Sequence, residues 1–141
     1  MKVELKNVKG FDGPDSYCFK ASLYVDGKKR GEVHDDGNGG CINFSDWDVE
    51  KELDEYGKTL PKDNSFGIEI EIDANILVGD ALNAYEETKF LKRTCKKKTV
   101  FSTPKMPKGE YKTVNSTYSP QVKAWVLEKY PDAVIYNERF V

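Results

Sequence analysis

Residues 16–48 read S-Y-C-F-K-A-S-L-Y-V-D-G-K-K-R-G-E-V-H-D-D-G-N-G-G-C-I-N-F-S-D-W-D, and the fold follows from how they are parsed. From Tyr17 to Val25 the side chains Tyr17, Phe19, Ala21, Leu23 and Val25 take every second position, with Cys18, Lys20, Ser22 and Tyr24 between them. A period of two sends one set to a buried face and the other to water or a second layer, which predicts a strand. Asp26-Gly27 suits the positive φ angles of a type I′ turn, whose twist matches that of the flanking strands. Lys28 to His34 then returns as a more polar strand anchored by Val33. The rest of the chain reads as material packed onto this hairpin.

Asp35-Asp36-Gly37-Asn38-Gly39-Gly40-Cys41 follows, leading to a helix expected to start near Ser45. Glycines at Gly37, Gly39 and Gly40 open backbone conformations in which successive N–H groups can converge on an anion. Yet the pattern is neither G-x-x-x-x-G-K-[ST] nor G-x-G-x-x-G, and two aspartates precede it, which would repel phosphate. The D-x-[DN]-x-[DN]-G ladder of a calcium loop and its distal Glu are missing too. A connector turning sharply from strand to helix is the plainer expectation.

The stretch Y-C-F-K-A-S-L-Y-V-D-G-K-K-R-G-E-V with the D-G-N-G-G-C loop resembles a group of small proteins of bacteriophages and prophages. The segment Val100–Tyr136, with T-V-F-S-T-P, K-G-E-Y and S-P-Q-V-K-A-W-V-L-E-K-Y-P, is similar to their C-terminal portions. The resemblance implies a phage or mobile-element setting inside a bacterial cell. It carries no activity, so no residue acquires a role from it.

At 141 residues the chain fits a single domain, 1–141, with a core of its own. Hydrophobic residues at 38% and aromatics at 12% belong to a folded protein. A net charge of −2 gives no bulk attraction to nucleic acid or membrane. Three cysteines (Cys18, Cys41, Cys95) without a C-x-x-C, beside the single His34, suit reduced thiols better than disulfides or zinc. Neither a signal peptide nor an apolar run of about 18 residues is read, so a cytoplasmic location is expected. No cofactor and no metal are expected.

In chain order, Val3, Leu5 and K-N-V-K-G-F suggest a first strand antiparallel to Tyr17–Val25, ended by Gly10, Gly13 and Pro14. Ser45 is the expected N-cap, with Asp48 as a short capping box. Val49, Leu53 and Tyr56 share one helix face, and Gly57 reads as a C′ residue. Phe66, Ile68, Ile70 and Ile72 alternate as a half-buried strand. Asp73 or Asn75 caps a helix to about Thr94 whose inner face holds Val78, Leu82, Tyr85 and Leu91. Thr99–Thr103 and Glu110–Val114 form a second hairpin. Ser119 and Pro120 open a helix with the apolar stripe Val122, Trp125 and Val126. Ala133–Tyr136 is a last strand and Asn137–Val141 a tail. The sum is α+β: antiparallel β-hairpins with about three helices packed on the sheet in one compact domain.

Charge is segregated along the chain. Between Asp35 and Tyr56 eight acids (Asp35, Asp36, Asp46, Asp48, Glu50, Glu52, Asp54, Glu55) face Lys51 alone. Across Lys89–Lys112 nine cations, among them Lys92, Arg93, Lys96, Lys97 and Lys98, face Glu110 alone. Both runs partly serve helix dipoles, and both are ordinary as solvated faces. Phe101 and Tyr111 sit among the cations, a mixture that can grip phosphates and stack on bases. Trp47 amid Asp46 and Asp48 can anchor a protein interface, against the plainer expectation that it is a core residue. A Cys41–His34 nucleophile–base pair across the glycine loop is the one catalytic arrangement the composition offers. The expectation is a non-enzymatic protein that binds a protein partner through Trp47, Asp46, Asp48 and the Gly37, Gly39, Gly40 loop. The alternative is nucleic-acid binding through Lys89–Lys112.

Overall fold

The computed structural model describes residues 1–64 and 67–140 and is α+β, with two antiparallel sheets and three α-helices. The chain falls into two compact units, Met1–Tyr85 and Glu86–Val141, the first ending within a helix.

In the first unit, β1 (Val3–Asp12), β2 (Tyr17–Val25), β3 (Lys28–Asp35) and the two-residue β4 (Asn43–Phe44) follow one another in a meander. Asp26 and Gly27 have φ of 52° and 83°, the two positive values that the Asp-Gly turn predicts. The alternation in β2 holds: Phe19, Ala21, Leu23 and Val25 are buried. In register they meet Gly10 and Leu5 and Val3 on β1, and Val33 on β3. Asn7, at φ 54°, marks a bulge between Lys6 and Lys9. The extra residue shifts the inward positions of β1 from odd (Val3, Leu5) to even (Gly10), so Val8 packs on the core.

Helix α1 (Trp47–Lys58) lays Val49 and Leu53 on this sheet, and α2 (Ala74–Thr94) adds Ala74, Val78 and Ala81. The cap of α1 is Asp46, not Ser45. The Asp46 side chain accepts the Asp48 N–H at 2.9 Å. Ser45 instead binds β3, its Oγ accepting the Glu32 N–H at 2.8 Å and its own N–H donating to the Glu32 carbonyl. β3 drew Ser45 away because Gly31, at φ 129°, leaves room there: a Cβ on Gly31 would lie 2.6 Å from the Ser45 Oγ. Gly57 is not a C′ residue either. It is buried within the last turn of α1, where a methyl would fall on the Ile72 carbonyl oxygen. Asp73 is the residue that caps α2, its Oδ1 accepting the Ile76 N–H at 2.9 Å.

The strand expected over Phe66–Ile72 is a correction. Phe66 lies outside the described residues. Ile68 is 66% exposed, and one isolated bridge between Asp63 and Ile70 is all the pairing found there among the described residues. Period-two spacing over four residues marks a half-buried strand only where a partner strand runs alongside.

In the second unit, β5 (Thr99–Ser102) lies between β6 (Lys112–Val114) and β7 (Val134–Ile135), both antiparallel to it. Helix α3 (Pro120–Lys129) starts as its sequence predicts, with Ser119 Oγ accepting the Val122 N–H at 3.2 Å. Phe101, Val126 and Ile135 form the core here, with Val114, Val122 and Tyr130 around them. Trp125, expected inside, is 45% exposed with the Lys129 ammonium 4.5 Å from its ring centroid. The expected tail is a 3-10 helix, Tyr136–Phe140, and its Asn137 is buried. No helix among the described residues is long and apolar enough to cross a membrane.

Candidate functional site

Trp47 occupies the first turn of α1 and is 83% exposed. Its placement follows from helical spacing: Val49 and Leu53, four apart, take the inner face and turn Trp47 outward. Several nearby acids have structural partners. Glu52 forms a two-pronged pair with Arg30, at 3.0 and 3.1 Å, and this carboxylate holds the guanidinium above its ordinary pKa. Asp54 accepts the Ala74 N–H at 2.7 Å and so joins α1 to the start of α2. Asp46 is the cap. Asp48 and Glu50 have no such partner among the described residues, and with Trp47, Lys51 and Asp54 they line a shallow hollow of about 290 Å³. The acidic run is therefore part scaffold and part free surface, and Asp48 and Glu50 of the free part line the hollow with Trp47.

The glycine loop binds its own chain. The Gly37 N–H donates to Asp35 Oδ1 at 2.8 Å and the Gly39 N–H to Ser16 Oγ at 3.1 Å. The Gly37 carbonyl accepts from Asp15 and Ser16, and the Gly37 Cα lies about one methyl away from Gly13. Two of the amides that would make an anion cradle are thus already bonded. Gly37 and Gly39 dock the loop onto the β1–β2 turn, which is the connector reading.

His34 and Cys41 do not share a hollow. His34 projects from the outer face of the sheet, where Lys9, Phe11, Cys18, Lys20 and Asp36 join it around an open hollow of about 660 Å³. Its Nε2 lies 3.7 Å from Asp36 Oδ1. No hydrogen bond among the described residues joins the imidazole to either thiol, and Cys41 is exposed beyond the glycines. No group of three His, Cys, Asp or Glu among the described residues is arranged to hold a metal ion.

Lys92, Arg93, Lys96, Lys97 and Lys98 are all exposed, at the end of α2 and in the turn before β5. The rings expected to interleave with them are not available: Phe101 is core, and Tyr111 packs between Phe90 and Tyr136 at centroid distances of 5.7 and 5.2 Å. Burial, aided by Glu87, pushes the Tyr111 hydroxyl up to about 12. Other rings replace them. Lys92, Lys96, Thr117, Tyr118 and Phe140 line a hollow of about 510 Å³ together with Cys95 and Asn137. Burial pushes the Cys95 thiol up. Asn137 is fully engaged, accepting the Val100 N–H at 2.8 Å and donating to the carbonyls of Lys98 and Cys95 at 2.9 and 3.3 Å. It ties the basic turn, β5 and the 3-10 helix together, and nothing in the sequence marked it.

No family model, no curated protein and no solved structure matches this chain.

Proposed function

We propose that the chain is a non-enzymatic accessory protein of a phage or mobile element, acting in the bacterial cytoplasm by binding a host or phage protein through the acidic face around Trp47. The observation that supports this reading is Trp47 itself, at 83% the most exposed large apolar side chain among the described residues, ahead of Phe11 at 68% and Ile68 at 66%. An indole offers about 150–250 Å² of contact area, so covering it is worth roughly 4–6 kcal/mol at about 25 cal/mol per Å², before the costs of association. That exceeds the value of any single exposed ion pair, roughly 0–1 kcal/mol, so Trp47 dominates what a partner gains. Asp48 and Glu50 beside it select a basic surface and speed encounter. A cation placed over the indole face would add to the contact.

Trp47 packs on nothing in the core, so Trp47→Ala leaves folding stability within about 0.5 kcal/mol of wild type. The experiment is capture of partners from nuclease-treated bacterial lysate on wild-type protein and on Trp47→Ala, each eluted by increasing salt. A protein retained by wild type, released by salt and lost from Trp47→Ala is the expected result. Retention of the same proteins by both baits removes the proposal.

A further inference from the structure

The two compact units carry opposite charge. Met1–Tyr85 holds ten Lys/Arg against eighteen Asp/Glu, a net of −8. Glu86–Val141 holds twelve against six, a net of +6, so a near-neutral chain contains a strongly basic unit. Within that unit Lys123 and Arg139 are paired with Glu138 and Glu87, at 3.0 and 3.6 Å. Lys92, Lys96, Lys97 and Lys98 have no carboxylate within ion-pair range among the described residues of the unit. Lys92 lies in the last turn of α2 and the other three in the turn that follows, and Lys92 and Lys96 edge the hollow with Tyr118 and Phe140.

We infer that this hollow is a site for single-stranded nucleic acid, in which the Tyr118 and Phe140 rings hold a base and Lys92, Lys96, Lys97 and Lys98 hold successive phosphates. The site is built from other residues than the Trp47 face, and neither proposal depends on the other. Four features carry it. Phe140 is 40% exposed and Tyr118 half-buried, so ring faces reach solvent beside the cations. The Tyr118 hydroxyl donates to Glu138 at 3.0 Å, which fixes the ring before any ligand arrives. The Glu138 carboxylate is shared between Tyr118 and Lys123, so the negative charge bonded to Tyr118 is compensated and does not oppose phosphate. Lys97 and Lys98 lie outside the hollow, so the cations outrun one nucleotide and fit a chain. Asn137 has no free hydrogen-bonding group to read a base edge, so stacking sets affinity and sequence matters little.

The test is fluorescence anisotropy of a labelled oligothymidylate of about twelve nucleotides titrated with the full chain between about 50 and 200 mM salt. Four neutralised phosphates give a slope of log affinity against log salt of roughly −3, a loss of about 50-fold across that range. Lys96→Ala flattens the slope by about 0.7. Phe140→Ala weakens binding about tenfold at every salt concentration while leaving the slope unchanged. Because Phe140 is 40% exposed, its loss spares the fold, and circular dichroism checks this. Absence of binding at the lowest salt overturns the inference. So does duplex bound as tightly as single strand and indifferent to Phe140→Ala, which would mark a merely charged face. Equal competition by thymidine monophosphate assigns the hollow to a free nucleotide and overturns it as well.

Discussion

Gly57 poses a contest between two effects of known size. At most helical positions Gly→Ala stabilises by roughly 1 kcal/mol, because alanine loses less backbone freedom on folding. At Gly57 the added methyl would fall on the Ile72 carbonyl oxygen, a backbone atom that cannot swing aside. Overpacking costs about 1–3 kcal/mol, and a clash with backbone belongs to the upper part of that range, about 2–3 kcal/mol. Gly57→Ala is therefore expected to lower stability by about 1–2 kcal/mol net, read as a lower urea midpoint; a raised midpoint would contradict the packing described. The sequence offered Gly57 as a helix-ending residue because glycine is commonest there, and only the approach of Ile72 reveals its actual part. Asn137 is harder still to foresee. Its partners lie 37 to 42 residues away, and no local pattern separates a buried asparagine from one in a tail.

At the level of elements, the pieces that formed as predicted are those with complete local codes. Alternation plus Asp-Gly specified the β2–β3 hairpin, and Ser119-Pro120 specified the start of α3. The pieces that departed have codes another segment can override. Ser45 is a good cap, but β3 engaged it, and Asp46 served one residue later. The 3-10 helix Tyr136–Phe140 had no code at all and is held by contacts, chiefly Glu138 with Lys123 and Tyr118. Those two hydrogen bonds hold the Glu138 carboxyl below its ordinary value and raise the Lys123 ammonium and, together with desolvation, the Tyr118 hydroxyl. A lowered carboxyl stabilises fully above the ordinary carboxylate range near pH 4.3 and loses that effect as pH falls through its folded value. The 3-10 helix is thus expected to loosen at acid pH, below the range where exposed glutamates titrate. NMR titration of the Glu138 carboxyl is the check. It should titrate below the other exposed glutamates in wild type and return toward them in Lys123→Ala; equal midpoints in the two proteins would remove Glu138 as the anchor.

For the molecule as a whole, the segregation of acids and bases was visible in the sequence, and the structure gives it a boundary: the change of sign coincides with the division into two compact units. What the sequence could not supply was accessibility. It left Trp47 open between interface and core, expected Trp125 in the core, and offered Phe101 and Tyr111 as stacking rings; Trp47 and Trp125 are exposed, Phe101 is core and Tyr111 is packed against other rings. Aromatic residues carry both apolar area and a polar or stacking edge, so their type alone does not decide which side they face. Catalytic composition was legible in a narrower sense, since a single histidine limits the arrangements the chain can offer.

The account rests on Trp47 standing in water within a negative field while Trp125 stands beside a cation. Fluorescence quenching of Trp47→Phe and Trp125→Phe by acrylamide, caesium and iodide tests this directly. The protein that keeps Trp47 should be quenched readily by acrylamide and favour caesium over iodide relative to the one that keeps Trp125, with the difference shrinking as salt rises. A Trp47 shielded from acrylamide, or one quenched by iodide as readily as Trp125, would contradict the account.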